Sequence, residues 1–377
     1  MRRVILSTIG TSLLTNQINR ANPAEKDWYS HLRDTANLNE QETPESIKDI
    51  ITTLKQRADT ELSSAKIPQI RRASAELNGI YGIYQEDLTK GKEDCHYLIA
   101  TDTVQGKTSA QIVETFLRKQ GLTNTNIYSP SGLSTASTEA FSMGIDALIV
   151  WLQENIPPLK ESKYKICFNL VGGFKSLQGY LNTIGMFYAD EIIYIFEGEK
   201  SDLITIPRLP ISVDTSLIKP YTMQLALLNA GVGLSTDETA GIPETMLGEV
   251  DGKMTLSTWG QLIWNQCKGD LLSGDLIHFS RLEYQDTFKA DHNRVREKFK
   301  RVKLQETLAA VTRLLDESNG DTAILRQHGG IQYDRYVNKG NIDHFRVTQD
   351  TRVSNTISQG KLILRRYGLE PEVNNNP

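Results

Sequence analysis

Cysteine is scarce, three in 377 residues. Cys95, Cys167 and Cys267 lie far apart and are odd in number, which argues for a reducing cytosol and against both a disulfide framework and a zinc site. Long apolar runs are missing too. No stretch approaches the roughly 20 apolar residues that a membrane helix needs. Met1-Arg2-Arg3 runs straight into strand-like Val4–Ile9, too short for the apolar region of a secretory leader. The expectation is a cytoplasmic protein without membrane contact. The dinucleotide fingerprint G-x-G-x-x-G does not follow the first strand, and G-x-x-x-x-G-K-[ST] is absent, so NAD and nucleoside triphosphates lose their usual signal.

What is present is the profile of a globular protein, 39 % hydrophobic and 23 % charged, long enough for two domains. The net charge of −4 is unevenly spread. Residues 276–368 carry 17 Lys and Arg against 11 Asp and Glu, a net +6, which leaves −10 on the rest. A basic module on an acidic carrier is an electrostatic footprint of nucleic-acid contact, although a solvated charged face has the same composition.

Strand and helix patterns alternate through the first half. Val4–Ile9, His96–Ala100, Asn126–Ser129, Tyr164–Leu170 and Glu191–Phe196 read as strands, and Ala110–Lys119, Thr138–Asn155 and Lys175–Tyr188 as helices. A helical insertion, Glu45–Arg57 and Ile67–Tyr84, separates the first two strands, and Leu203–Val213 reads as further extended chain. Such alternation predicts an α/β Rossmann-like domain, a parallel sheet with helices on both faces. Helices at Ser216–Leu228 and Leu256–Leu272 follow. Beyond a Gly/Asp-rich break come a strand (Leu276–Leu282), a charged helix (Asn293–Glu317) and extended runs at Ile331–Val337, Ile342–Thr348 and Lys361–Tyr367, an α+β layout. The expected division is 1–215, a helical linker or transmission region at 216–275, a basic domain at 276–370 and a disordered Asn-rich tail at 371–377.

Four segments stand where strands hand over to helices or loops: Gly10–Asn16, Thr101–Lys107, Ser129–Ser134 and Asn169–Ser176. All are small, hydroxylated or glycine-rich. Such chains expose backbone N–H groups at helix N-termini, where negative charge is favoured. C-terminal strand ends form the binding crevice of an open parallel sheet. Each segment alone is an ordinary turn; four on one edge point to an anionic ligand.

Gly10-Thr11-Ser12-Leu13-Leu14-Thr15-Asn16 and Asn169-Leu170-Val171-Gly172-Gly173-Phe174-Lys175 resemble the two main motifs of the CRISPR-associated Rossmann-fold (CARF) family, with Val171 where that family often has Thr. Thr101-Asp102-Thr103 and Gly132-Leu133 are similar to it as well, and the resemblance spans about residues 1–215. It implies a two-fold homodimer binding a ring of 3′–5′-linked adenylates, four being favoured over six, as activator. By the same resemblance Thr11, Ser12 and Asn16 lie near the ring, Asp102 and Thr103 near an adenine or ribose, and Gly172, Gly173 and Lys175 on phosphate. Gly10, Ser131, Gly132 and Asn169 complete the candidate ligand set. Some members open their ring without metal; Ser12 and Lys175 match that role, and slow ring opening is expected.

The basic region lacks the Arg-x4–6-His signature of HEPN ribonucleases: Arg281 to His292 is too long, Arg326 to His328 too short. A PD-(D/E)xK reading is weak because Glu297-Lys298 falls on a helix. Alternation along Ile342–Thr348 places His344, Arg346 and Thr348 on one face and Phe345 and Val347 on the other. The region resembles the RelE family of mRNA interferases over about residues 276–370. That resemblance implies metal-independent RNA cleavage by 2′-hydroxyl attack, with mRNA on the ribosome as the family's substrate and no cofactor. His344 is the candidate for proton transfer. Arg346, Arg352, Arg365, Arg366 and Tyr367 are candidates for binding and stabilising the phosphate, and His328 is a weaker option. Two other readings stay open: a ring nuclease whose C-terminal domain is structural, and a ligand-responsive regulator that grips nucleic acid without cutting.

Overall fold

The computed structural model describes residues 1–196 and 202–377. The chain divides into two compact units, Met1–Ile211 and Ser212–Pro377.

The first unit is built on a six-stranded sheet: β1 (Arg3–Thr8), β2 (Cys95–Ile99), β3 (Thr125–Tyr128), β4 (Lys165–Asn169), β5 (Glu191–Ile195) and β6 (Leu203–Pro207). Its spatial order is β3-β2-β1-β4-β5-β6. The first five are parallel, and β6 returns antiparallel to β5. Val4, Ile5 and Leu6 are all buried, as befits a strand covered on both faces. Alternation separates those faces. Ile5, Leu98, Cys167 and Ile193 share one core with the helices of the insertion, α3 (Glu45–Ser64), α4 (Ile67–Ala73) and α5 (Ala75–Ile83), and with α6 (Val104–Lys119). Phe168 and Ile192 point the other way, against Gly185 of α8 (Lys175–Tyr188), while α7 (Thr138–Glu161) lies against β4 and α8. The insertion begins with α1 (Ser12–Thr15) and α2 (Trp28–Asp34). The expected helix Ile67–Tyr84 is interrupted at Ser74, which caps α5 by accepting from Leu77 N–H. Helix α7 runs past the expected end at Asn155, through Pro157 and Pro158. Proline removes a donor but keeps its carbonyl, and Pro158 O accepts from Ser162 N.

The second unit holds α9 (Thr222–Asn229), a hairpin of β7 (Leu247–Val250) and β8 (Lys253–Leu256), and α10 (Thr258–Leu271). Next come β9 (Leu282–Tyr284), α11 (Asp286–Arg294), α12 (Lys298–Glu317), α13 (Ala323–Gln327), β10 (Asp334–Arg335), β11 (Asp343–Arg346), β12 (Thr351–Ser358), β13 (Lys361–Leu369) and α14 (Glu370–Asn375). Its main sheet is ordered β10-β11-β12-β13-β9, antiparallel except for the β13–β9 pair. Residues 216–275 belong to this unit: Leu225, Trp264 and Cys267 share its core with Leu304 and Leu308 of α12 and with Phe345, Val353 and Leu364 of the sheet.

Four expectations for this half are corrected. Leu276–Leu282 is not a strand, because the Gln305 side chain takes the local backbone groups, accepting from Ile277 N at 3.1 Å and donating to Asp275 O at 2.7 Å. The ladder is confined to Leu282–Tyr284. The charged helix is two helices, broken where Val295 is extended and its carbonyl accepts from Arg301 Nε. Only Asp334–Arg335 of Ile331–Val337 joins the sheet. The tail is ordered, as α14 buries Val373 and packs on β12 and β13.

Candidate functional site

Strand order reverses between β1 and β4, the topological switch point where ligands of open α/β sheets bind. A cavity of about 440 Å³ opens there, lined by Gly10, Thr11 and Ser12 after β1 and by Val171, Gly172 and Gly173 after β4. A second cavity, about 560 Å³, shares Ser12, Val171 and Gly173 and adds Asn16 and Lys175. The two predicted segments are thus brought together, and Ser12 and Lys175 line one space.

The loop after β4 requires its glycines. Gly173 has φ +91°, and a Cβ there would lie 2.9 Å from Thr8 Cβ. A Cβ on Gly172 would lie 2.4 Å from Oε1 of Glu76. Thr8 Oγ1 donates to Gly172 O at 2.5 Å and fixes the turn. Helix α8 then begins at Phe174 with no side-chain cap, so its first N–H groups stay available to an anion. Lys175 opens that helix with its side chain exposed.

The other candidates separate. Asn169 is fully buried, its Nδ2 donating to Ser7 Oγ at 3.0 Å and to Glu76 O at 3.1 Å, so it braces the framework behind the rim. Asp102 accepts from Gly132 N at 2.9 Å and pairs with Lys107 at 2.5 Å. Lys107 and the Gly132 amide hold the Asp102 carboxyl below its ordinary value, against the opposing effect of burial. Thr103 is buried and caps α6, accepting from Gly106 N at 3.1 Å. Asp102, Thr103, Ser131 and Gly132 form a neighbouring cluster that lines neither cavity.

Sequence reasoning missed what the insertion contributes. Tyr29 and Arg33 of α2 wall the first cavity, together with Gln105 of α6. Arg71 and Arg72 of α4 wall the second. The available signal was the Arg71-Arg72 pair next to the Ser74 break, within a stretch that otherwise read as one helix.

In the second unit, His344 pairs across the ladder with Ser354, and Arg346 with Arg352. These side chains share the face opposite Phe345 and Val353, which enter the core. His344 is 8 % exposed, its ring centroid 4.3 Å from that of Tyr336. Burial, and next the Arg352 charge, push its pKa below the ordinary value. Arg352 also donates to Glu370 at 2.6 Å, at the start of α14. The ladder slips at Ser354/Asn355, which leaves Arg365 without a partner across it. The buried Nε atoms of Arg346, Arg352 and Arg365 have no hydrogen-bond partner among the described residues. Unpaired buried donors are costly, and the outer nitrogens of Arg352 and Arg365 are held by His344, Glu370 and Pro377 O.

The last two candidates lie elsewhere. Arg366 donates to Asp291 at 2.6 Å and lines a cavity of about 400 Å³ with Arg294, Arg296 and Lys300. Tyr367 is a core residue, 4 % exposed. Its hydroxyl donates to Lys300 O at 3.2 Å, and burial pushes its pKa up to about 12. Among the described residues, no group of three or more His, Cys, Asp and Glu is placed to hold a metal ion, and no helix is long and apolar enough to cross a membrane.

Residues 71–209, from α4 to the end of the sheet, match the family model described as CRISPR-associated protein (Cas_APE2256). The match supports a CRISPR-associated protein. It takes in the loop after β4, the Asp102 cluster and the cationic wall of the second cavity, and it ends before the second unit.

Proposed function

We propose that this CRISPR-associated chain is a sensor of cyclic tetra-adenylate. Its N-terminal unit, acting as a CARF-type homodimer, binds the ring, and its C-terminal unit is a RelE-like, metal-independent endoribonuclease that the ring switches on. The observation that carries the reading is the convergence of Gly10–Ser12 and Val171–Gly173 on one cavity at the switch point, beside Lys175 and the uncapped start of α8. Backbone N–H groups and a mobile ammonium suit phosphodiesters, and a two-fold ligand on a two-fold dimer uses each residue twice. Activation requires that the ring bind the active state more tightly than the resting one.

In the second unit the reading places RNA phosphate on Arg346, Arg352 and Arg365, cationic side chains of β11, β12 and β13. Nδ1 of neutral His344, released as Arg352 turns to the phosphate, takes the 2′-hydroxyl proton. The 2′-oxygen bonds to phosphorus, the bond from phosphorus to the 5′-oxygen breaks, that oxygen takes a proton from solvent, and a 2′,3′-cyclic phosphate remains. The guanidinium groups offset charge developing on the phosphorane. Slow opening of the ring by the same chemistry, with Ser12 and Lys175 holding attack in line, belongs to the proposal. The test is incubation with RNA, with and without ribosomes, against rings of four and six adenylates, followed by mapping of the cut ends. Cleavage that needs the four-membered ring and leaves 2′,3′-cyclic phosphate or 3′-phosphate ends is expected. Binding of RNA without cleavage contradicts the nuclease half, and no response to any ring contradicts the sensor half.

A further inference from the structure

Glu76 lies directly beneath this rim and is 1 % exposed. Its Oε1 accepts from the backbone N–H of Gly10 and occupies the space that a side chain on Gly172 would need. Its Oε2 accepts from Ser74 Oγ at 2.7 Å, and its backbone oxygen accepts from Asn169 at 3.1 Å. One residue of α5 therefore touches both loops of the site and the strand that precedes the second loop.

We infer that Glu76 is a positioning residue of the oligoadenylate site, whose carboxyl sets the spacing of the Gly10 and Gly172 loops beneath the bound anion. This rests on the reading of the rim as that site. The groups in these contacts with Glu76 are neutral: Ser74 before its own helix, the loops at Gly10 and Gly172, and Asn169 from β4. The groups acting on it are the Gly10, Ser74 and backbone donors, and burial dominates them, raising its pKa. Arg33 walls the cavity above the Gly10 and Gly172 loops, and Lys175, Arg71 and Arg72 line the adjoining one; none of them is among the groups that act on this carboxyl. An ionised carboxylate here would be desolvated and would repel the phosphodiester above it. In either protonation state the carboxyl keeps its contacts to Ser74 Oγ and Gly10 N.

The sign of the pH dependence follows. A carboxyl whose folded pKa is raised gives stability that is fully present below its unfolded pKa, near 4.5, and is lost as pH rises through the folded value. Glu76→Gln keeps an oxygen for Gly10 N–H and an NH₂ donor for Ser74 Oγ, and carries no proton to lose.

The experiment compares the full-length protein with Glu76→Gln and Glu76→Ala by thermal unfolding from pH 5 to pH 8.5, and by calorimetry with cyclic tetra-adenylate at pH 7. Glu76→Gln should unfold at a higher temperature than wild type at pH 8, with the gap closing toward pH 5, and should bind the ring within about threefold of wild type, whereas a folded Glu76→Ala, which loses the contact to Gly10, should bind at least tenfold more weakly. Glu76→Gln less stable than wild type at pH 8, or a folded Glu76→Ala that binds as tightly as wild type, overturns the inference. If wild type itself binds no ring, the sensor reading fails, and the unfolding comparison still decides the state of Glu76.

Discussion

Nδ1 of His344 lies 3.2 Å from Nη1 of Arg352. A guanidinium only donates, so this contact needs Nδ1 as acceptor and places the neutral ring's proton on Nε2. With its pKa below the ordinary 6.5, the ring is unprotonated at neutral pH, and in the proposed reaction Nδ1 becomes the general base when Arg352 turns from it to the phosphate. Ring-activated RNA cleavage should therefore be flat from pH 7 to 8, with its acid limb below pH 6.5. Arg352→Ala should slow cleavage on the order of 100-fold, the cost of losing one charged donor to a transition state, and move the acid limb upward. An unchanged limb in that variant would detach Arg352 from His344.

Lys175→Ala removes an exposed ammonium from the cavity it shares with Ser12. A charge-assisted hydrogen bond contributes roughly 1.5–3 kcal/mol, so ring affinity should fall by about 10- to 100-fold. Calorimetry at two salt concentrations should also show a weaker salt dependence in the variant, because one screened contact is gone. Equal affinities would take Lys175 out of the site.

Gly173→Ala forces a side chain into the left-handed region at φ +91° and against Thr8. The conformational term alone is about 1–2 kcal/mol, so thermal unfolding of the variant should shift down by several degrees, with ring binding lost. Gly179, within α8, has nothing within 4 Å of the position its Cβ would take. Gly179→Ala should leave stability unchanged or raise it by about 0.5–1 kcal/mol. Equal unfolding temperatures for the two variants would contradict the account of the turn.

His96 is fully buried on β2, its Nε2 3.0 Å from the Tyr84 hydroxyl, which donates to Asp94 at 2.8 Å. Burial lowers its pKa from 6.5 to about 4. Between those values the unfolded chain binds a proton that the folded chain refuses. The contribution is therefore present above pH 6.5 and lost as pH falls toward 4, to a limit of about 3 kcal/mol. Denaturant unfolding should show this slope in wild type and a shallower one in His96→Asn. Parallel slopes would mean that another group carries the acid sensitivity.

Much of the first unit was legible because its signals are local. Val4–Leu6 is an unbroken apolar run, as a strand buried on both faces must be, and the glycine and hydroxyl residues follow such strands directly. What the insertion adds was not legible: nothing in the spacing of Tyr29, Arg33, Arg71 or Glu76 shows that their helices fold back over the switch point, since packing of the insertion decides it. Asn169 sits inside the motif that reads as a ligand loop, yet it points into the framework, a choice made by Ser7 and by the backbone of Glu76. The face of β11 followed from alternation, and Phe345 lies in the core as that pattern requires. Tyr367 reads as a site candidate because it stands beside two arginines, and its position opposite Val353 places it in the core. The tail read as disordered on composition, but Val373 and the Arg352–Glu370 pair hold it on the sheet.

A sensor of this kind must bind a ring of adenylates at the rim of its first unit. Calorimetry of the full-length protein with cyclic tetra-adenylate tests this most directly, with linear tetra-adenylate and cyclic hexa-adenylate as controls. Saturable heat at one ring per two chains, abolished or weakened at least tenfold by Lys175→Ala, is the predicted result. The absence of heat with any oligoadenylate ring, or equal affinity for linear and cyclic forms, would contradict it.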